Sequence, residues 1–131
     1  MNCELATAAL KAGVEEAKRL NCRMNIAVVD AGGHLVAFIR MDHAVLGAID
    51  VAIKKAKTAI YFNSPSGALG KISNPGGPIY GVEHSNQGLI TFPGGLPIHC
   101  DNGKPIGAIG VSGDNVINDE KVAEAAIKAL K

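Results

Sequence analysis

Hydrophobic residues recur every three to four positions in three stretches of the chain, which is the spacing of amphipathic helices. In residues 2–20 the apolar positions form one stripe and the charged positions lie opposite it. The same spacing predicts a second helix that begins with Asp42 as its N-cap and ends near Phe62. A third begins at Asn118, where a capping residue is followed by acids at the positive end of the helix dipole.

The remaining apolar segments are short and favour strands. Residues 26–29 form a continuous apolar run, and a turn at 30–33 leads to a second strand at 35–39. We expect three further strands, at 89–92, 96–100 and 106–111, with Asn102-Gly103 turning the chain between the last two. Because hairpins dominate this order, the pattern predicts an α+β domain with a five-stranded antiparallel sheet flanked by helices.

A long polar segment separates the second helix from the last three strands. It runs from Asn63 to Gly88, is rich in Ser, Pro and Gly, and has room for a short helix around 66–72. Segments of this length inside a small domain are usually functional, and this one carries His84 beside Glu83.

Composition and charge then narrow the class of protein. The 131 residues fit one domain, residues 1–131, and a net charge of +1 provides no field that would attract nucleic acid or a membrane. Aromatic residues make up only 4%, so a site built from several stacking rings is not expected. The odd set of three cysteines argues against a disulfide framework, and the first residues lack the pattern of a signal peptide. We therefore expect a cytoplasmic protein.

A few residues could carry chemistry. His43 is predicted in the first helical turn, where the dipole favours a neutral ring that could bind a metal, although a surface histidine beside a cap has the same pattern. Arg40 could hold a ligand carboxylate bidentately or pair with a carboxylate of the chain. We interpret Lys54, Lys55 and Lys57 as a solvated basic face of the second helix. The chain has no Cys-x-x-Cys pair and no complete phosphate-binding loop.

Several strings in order resemble the GlcG/HbpS/PduO C-terminal-domain family, also called the haem-degrading domain family. They are Ala27-Val28-Val29-Asp30-Ala31-Gly32-Gly33-His34-Leu35, Arg40-Met41-Asp42, Lys55-Ala56-Lys57-Thr58-Ala59, Gly94-Gly95-Leu96-Pro97-Ile98 and Ile106-Gly107-Ala108-Ile109-Gly110-Val111-Ser112-Gly113. Asp119 and the alanine-rich final helix complete the pattern, which extends over nearly the whole chain. The segment Gly81 to Gly88 is most similar to the PduO branch.

The resemblance implies a profilin-like fold, with the five-stranded sheet between helical layers, and a homo-oligomer that is often an octamer in relatives. It also implies haem binding, with haem degradation or redox sensing proposed for some members. In the PduO branch a histidine near the amino-terminal cysteine is a suspected haem ligand. Cys3 matches that cysteine, whereas Met1 stands where the histidine would be.

Two functions from different classes follow. The first is a tetrapyrrole-binding protein, with haem preferred to a corrinoid, in which His84, His43 or Cys3 binds the metal. Either Arg40 or the patch of Lys54, Lys55 and Lys57 would bind the propionates. The alternative is a non-catalytic accessory protein of diol, glycerol or glycolate utilisation, acting through its oligomer or a small-metabolite pocket. An enzyme that uses Arg40 and Glu83 on a small carboxylate is a third hypothesis, and whether there is turnover stays open.

Overall fold

Four strands and four α-helices are arranged along the chain in the computed structural model, which describes residues 1–131. The helices are α1 (Cys3–Arg19), α2 (Ala48–Phe62), α3 (Ser66–Ser73) and α4 (Val116–Lys128). The strands are β1 (Asn25–Asp30), β2 (Leu35–Arg40), β3 (Gly95–His99) and β4 (Pro105–Ser112). They form one antiparallel sheet in the order β2-β1-β4-β3, which leaves β2 and β3 at its edges.

Helices cover both faces of this sheet. Helices α1 and α4 pack together on one face, whereas α2 lies across β1, β4 and β3 on the other. Side chains alternate between the two faces along each strand, so Ile26 and Val28 join the larger core under α1 and α4 while Val29 joins the smaller core under α2. No helix in the structure combines the length and the hydropathy needed to cross a bilayer.

Small residues let α2 lie close to the sheet. A Cβ atom at Gly110 of β4 would collide with the carbonyl oxygen of Ala52, and Ala56 and Ala59 are fully buried on the same side of the helix. The many glycines and alanines of the sequence therefore serve close backbone packing as well as turns.

The structure confirms the antiparallel α+β architecture, the first helix, the first hairpin and the short helix in the long polar segment. The predicted turn at Asn102-Gly103 is also present, with Gly103 at a φ of 82° and the Cys100 amide donating to the Lys104 carbonyl.

The prediction of five strands is wrong, because residues 89–92 form no strand and the sheet has four. The amide of Leu89 donates to the carbonyl of Glu83, and the amide of Ile90 donates to Thr58 Oγ1 at 3.1 Å. These two donors are thus taken by a turn and by α2, and Pro93, which has no amide hydrogen, follows.

Two predicted helix starts are also wrong. Helix α2 begins at Ala48 rather than at Asp42, because His43 adopts a left-handed conformation with a φ of 65° that cannot continue into a right-handed helix. The N-cap of α4 lies three residues before the predicted one: Asn115 is the N-cap, and its side chain accepts from the amide of Asn118 at 2.8 Å.

Candidate functional site

One cleft lies between the end of α1 and the end of β2, and two of the predicted site residues, Arg40 and His43, line it together. We call it the Arg40–His43 cleft. Its volume is about 480 Å³, which is within the usual range of about 300–1,000 Å³ for small-molecule sites. It is lined by Val14, Lys18, Asn21, Cys22, Arg23, Ile39, Arg40, Met41, Asp42 and His43.

The two predicted residues reach this cleft by different routes. Arg40 is the last residue of β2 and pairs with Asn25 of β1, so the sheet fixes its backbone. His43 lies three residues later in the loop that leads to α2, and its left-handed backbone turns the chain there. It is therefore a loop residue rather than a residue of the first helical turn, and its ring does not lie at the positive end of the α2 dipole as predicted.

Cations dominate the polar lining of the Arg40–His43 cleft. Lys18, Arg23 and Arg40 are all exposed, and Asp42 is the one carboxylate among the lining residues. None of these three cations forms an ion pair within the chain. The cleft thus has an excess of positive charge that suits a ligand with two carboxylates.

The thiol of Cys22 also lines this cleft but is buried. It accepts a 3.5 Å hydrogen bond from Asn118 Nδ2, and burial raises the pKa of the Cys22 thiol above its ordinary value. Because the thiolate is the form that binds metals, Cys22 is a poor metal ligand at neutral pH.

A second and larger cleft, of about 610 Å³, lies between the start of α1, the end of α4 and the β3–β4 hairpin. We call it the His99–Cys100 cleft. It is lined by Leu5, Pro97, Ile98, His99, Cys100, Asp101, Ile106, Ile127, Leu130 and Lys131. Its wall is more apolar, but its two candidate metal ligands are engaged: His99 Nε2 lies 2.7 Å from Asn63 Oδ1, and the Cys100 thiol donates to Asn102 Oδ1 at 2.6 Å.

The other two predicted site residues, Cys3 and His84, line neither cleft. Cys3 is exposed at the first residue of α1, where its Sγ lies 3.9 Å from Thr7 Oγ1. His84 is exposed at the end of a single 3-10 turn, Val82–His84, in the long polar segment. No group of three or more His, Cys, Asp or Glu side chains is arranged to hold a metal ion.

A buried ion pair is the main feature that sequence reasoning missed. Lys55 is completely buried rather than part of a solvated basic face, and its Nζ donates to Asp119 Oδ2 and to the Val111 carbonyl, both at 2.8 Å. The ring of Phe92 lies with its centroid 5.0 Å from Nζ. The other carboxylate oxygen of Asp119 accepts from the amide of Asp114 at 3.1 Å.

Burial acts on both members of this pair. It lowers the pKa of Lys55 and raises the pKa of Asp119, while their mutual hydrogen bond opposes both shifts. A Cβ atom at Gly94 would come within 2.6 Å of Lys55 Nζ, so this glycine leaves room for the ammonium. The signal was present in the sequence, because Lys55 falls in the stripe of Ala52, Ala56 and Ala59 at helical spacing.

Comparison with known proteins places this chain among relatives along its whole length. The family model described as "Haem degrading protein HbpS-like" matches residues 1–128. A 15.0 kDa protein encoded between dhaT and dhaS in Citrobacter freundii is 38% identical over 126 residues, which is 94% of this chain and 88% of that protein.

Solved structures are similar to the same extent. The Klebsiella pneumoniae protein ORFY superimposes with a TM-score of 0.96 at 31% identity, covering 99% of this chain and 90% of its own. The crystal structure of a PduOC:heme complex superimposes with a TM-score of 0.93 at 33% identity, covering 98% of this chain and 94% of its own. On these matches of sequence and structure, the chain belongs to the HbpS-like family.

Proposed function

We propose that the protein binds haem in the Arg40–His43 cleft, with His43 as the iron ligand and the surrounding cations as partners of the propionates. The observation that carries this proposal is that Arg40 and His43 line one cleft together with Lys18 and Arg23. A relative with 33% identity is a complex with haem, which supports the choice of ligand.

The state of the imidazole favours His43 over two other histidines of the chain. His34 Nδ1 lies 3.3 Å from the Asp30 carboxylate, and His99 is hydrogen bonded to Asn63. His43 is exposed and makes no side-chain hydrogen bond or ion pair, so its ring nitrogens are free to bind a metal. Histidine commonly binds haem iron, and haem held by His43 would supply redox and ligand-binding chemistry at this cleft.

Charge favours the Arg40–His43 cleft over the larger His99–Cys100 cleft. Haem is an apolar macrocycle with two carboxylates, so it needs both an apolar wall and nearby cations. The first cleft offers three lysine and arginine cations and the apolar side chains of Val14, Ile39 and Met41, whereas Lys131 is the one lysine or arginine that lines the second. Arginine is suited to carboxylates because its planar guanidinium binds them bidentately.

The proposal is tested by titrating the purified protein with haemin and following the Soret band. The native protein should give a shifted band that saturates, and His43→Ala should weaken binding by roughly tenfold, equivalent to about 1.4 kcal/mol. His34→Ala is the matched control, because it removes an exposed histidine outside the cleft, and should bind as the native protein does. A flat titration would contradict the proposal, and selective loss of binding in His99→Ala or His84→Ala would move the site.

Self-association is a further part of the proposed function. Two large apolar side chains next to the cleft, Val45 and Leu46, are 61% and 67% exposed, which is costly for a protein that stays a monomer. We propose that copies of the chain assemble and that the assembly covers these side chains. Sedimentation velocity should give a mass several times that of one chain, and Leu46→Lys should shift the distribution toward the monomer. A native protein that sediments as a monomer would refute this part.

The second candidate is an accessory protein that binds a protein partner without a cofactor. Exposed apolar side chains elsewhere on the surface favour it, among them Tyr80 at 68% and Ile117 at 67%. The visible spectrum of the protein as purified from its producing cells separates the two candidates. A Soret band is expected for the haem protein, whereas a colourless protein that also fails to bind added haemin would favour the accessory role.

A further inference from the structure

Asn25 is a completely buried amide whose hydrogen bonds are incomplete. It is the first residue of β1, and its Nδ2 donates to the Val45 carbonyl at 3.0 Å and to the Ser112 carbonyl at 3.4 Å. Its Oδ1 is buried and has no partner. Both neighbours of the amide nitrogen are carbonyl oxygens, so the reversed orientation would place oxygen against oxygen. The structural role of this side chain is therefore that of a hydrogen-bond donor.

One of the two bonds reaches the loop that contains His43. We call residues 41–47 the His43 loop. All of its residues except Met41 and Ala44 are exposed, and its internal hydrogen bond runs from the Ala44 amide to the Met41 carbonyl. The carbonyls of Val45 and Leu46 also accept from the amides of Ala48 and Ile49 at the start of α2, and the bond from Asn25 is the one hydrogen bond by which the sheet holds residues 42–46.

The His43 loop needs such support because the backbone conformation of His43 itself is energetically unfavourable. His43 has a φ of 65°, a region that side chains other than glycine adopt at a cost. Met41 is tied to Met24, whose carbonyl accepts from the Met41 amide at 3.0 Å. Asn25 ties the Val45 carbonyl to the sheet, so hydrogen bonds to Met24 and Asn25 anchor the chain on the two sides of His43.

We propose that Asn25 is a positioning residue for the haem site, which acts by holding the Val45 carbonyl and so fixes His43 in the cleft. This inference rests on the proposed function for its effect on haem, but its effect on the loop does not. An apolar side chain at position 25 would avoid the buried, unpartnered oxygen, so the amide is explained by the loop that it holds.

The test uses Asn25→Leu, which keeps the number and branching of the side-chain heavy atoms and removes both donors. Amide hydrogen exchange of the protein without haem should become roughly tenfold faster at Ala44 and its neighbours, and unchanged in the centre of β4. Haemin binding should weaken severalfold in the native background but should not weaken further when His43→Ala is already present. Asn25→Ser keeps one donor, and should give intermediate values if Asn25→Leu folds poorly.

Thr58→Val is the matched control, since Thr58 is another completely buried polar side chain and lies outside the His43 loop. It should leave both the loop exchange and the haemin affinity unchanged. Unchanged exchange in Asn25→Leu would overturn the inference whatever haemin does. Suppose that His43→Ala binds haemin more weakly, and that Asn25→Leu exchanges faster but binds haemin as the native protein does. That result would overturn the claim that Asn25 positions His43. If His43→Ala itself binds normally, the proposed site fails, and the holding of the loop is then judged on exchange alone.

Discussion

Replacing Lys55 with methionine should be far more damaging than replacing its partly exposed neighbour Lys54. The change keeps most of the apolar stem but removes the ammonium, so the carboxylate of Asp119 stays buried without its partner. Removing one member of a buried ion pair typically costs about 3–5 kcal/mol. The whole free energy of unfolding of a domain is about 5–15 kcal/mol. Lys55→Met is therefore expected to remove a large part of the stability.

Urea unfolding followed by far-UV circular dichroism measures this loss. Lys54→Met is the matched control, because its ion pair with Asp50 is at the surface and such pairs contribute about 0–1 kcal/mol. The double variant Lys55→Met with Asp119→Leu removes both charges and should recover much of the stability. The reasoning is refuted if Lys55→Met lowers the free energy of unfolding no more than Lys54→Met does. It is also refuted if the loss in the double variant equals the sum of the losses in Lys55→Met and Asp119→Leu.

The pH dependence of Lys55→Met gives a second check. Burial raises the pKa of Asp119, and the hydrogen bond from Lys55 opposes that rise, so removing Lys55 should raise the pKa further. When the pKa of a carboxyl is higher in the folded state than in the unfolded state, protonation favours the folded state. The free energy of unfolding of the variant therefore rises as the pH falls toward the ordinary pKa of aspartate. The deficit of Lys55→Met relative to the native protein should thus shrink on acidification, and a deficit that grows would contradict this account.

Two other predictions concern the fold. Gly110→Ala should lower the thermal midpoint strongly, because its Cβ would collide with the Ala52 carbonyl, whereas Gly76→Ala, with nothing near its Cβ position, should act only through its positive φ. Asp30→Ala should destabilise the protein near neutral pH, because the Asp30 carboxylate accepts from the amide of His34, which lowers its pKa most, and from the amide of Gly32, which lowers it further. That stabilisation is present above the ordinary pKa of aspartate and is lost as the pH falls through the lowered value, so native and variant unfolding curves should converge in acid.

Periodic segments of this chain could be predicted because one face of each packs on a continuous core. Helix α1 and the β1–β2 hairpin follow directly from the spacing of apolar residues and from the turn at Asp30 to Gly33. The failures have local causes. Residues 89–92 look like a strand, but the side chain of Thr58, distant in sequence, takes one of their amides. Because His43 has a left-handed backbone conformation, α2 begins later in the sequence than predicted. Such a backbone angle cannot be predicted from a hydropathy pattern.

The candidate site was predictable in part for similar reasons. Arg40 and His43 are three residues apart in sequence, so their proximity in one cleft could be predicted from the position where β2 ends. Lys18 and Arg23 come from α1 and the segment after it, and only the packing of α1 against β2 brings them to the cleft. Lys55 and Asp119 are separated by 64 residues, so the ion pair depends on the tertiary fold.

Chemical rescue of a variant at position 43 tests most directly the claim that His43 binds the haem iron. Glycine suits the positive φ at this position, so His43→Gly removes the imidazole without adding strain. The account predicts that His43→Gly retains little haemin after gel filtration, and that free imidazole restores both the retained haemin and the native position of the Soret band. Native retention without imidazole, or no response to it in a variant that has lost haemin, would contradict the assignment.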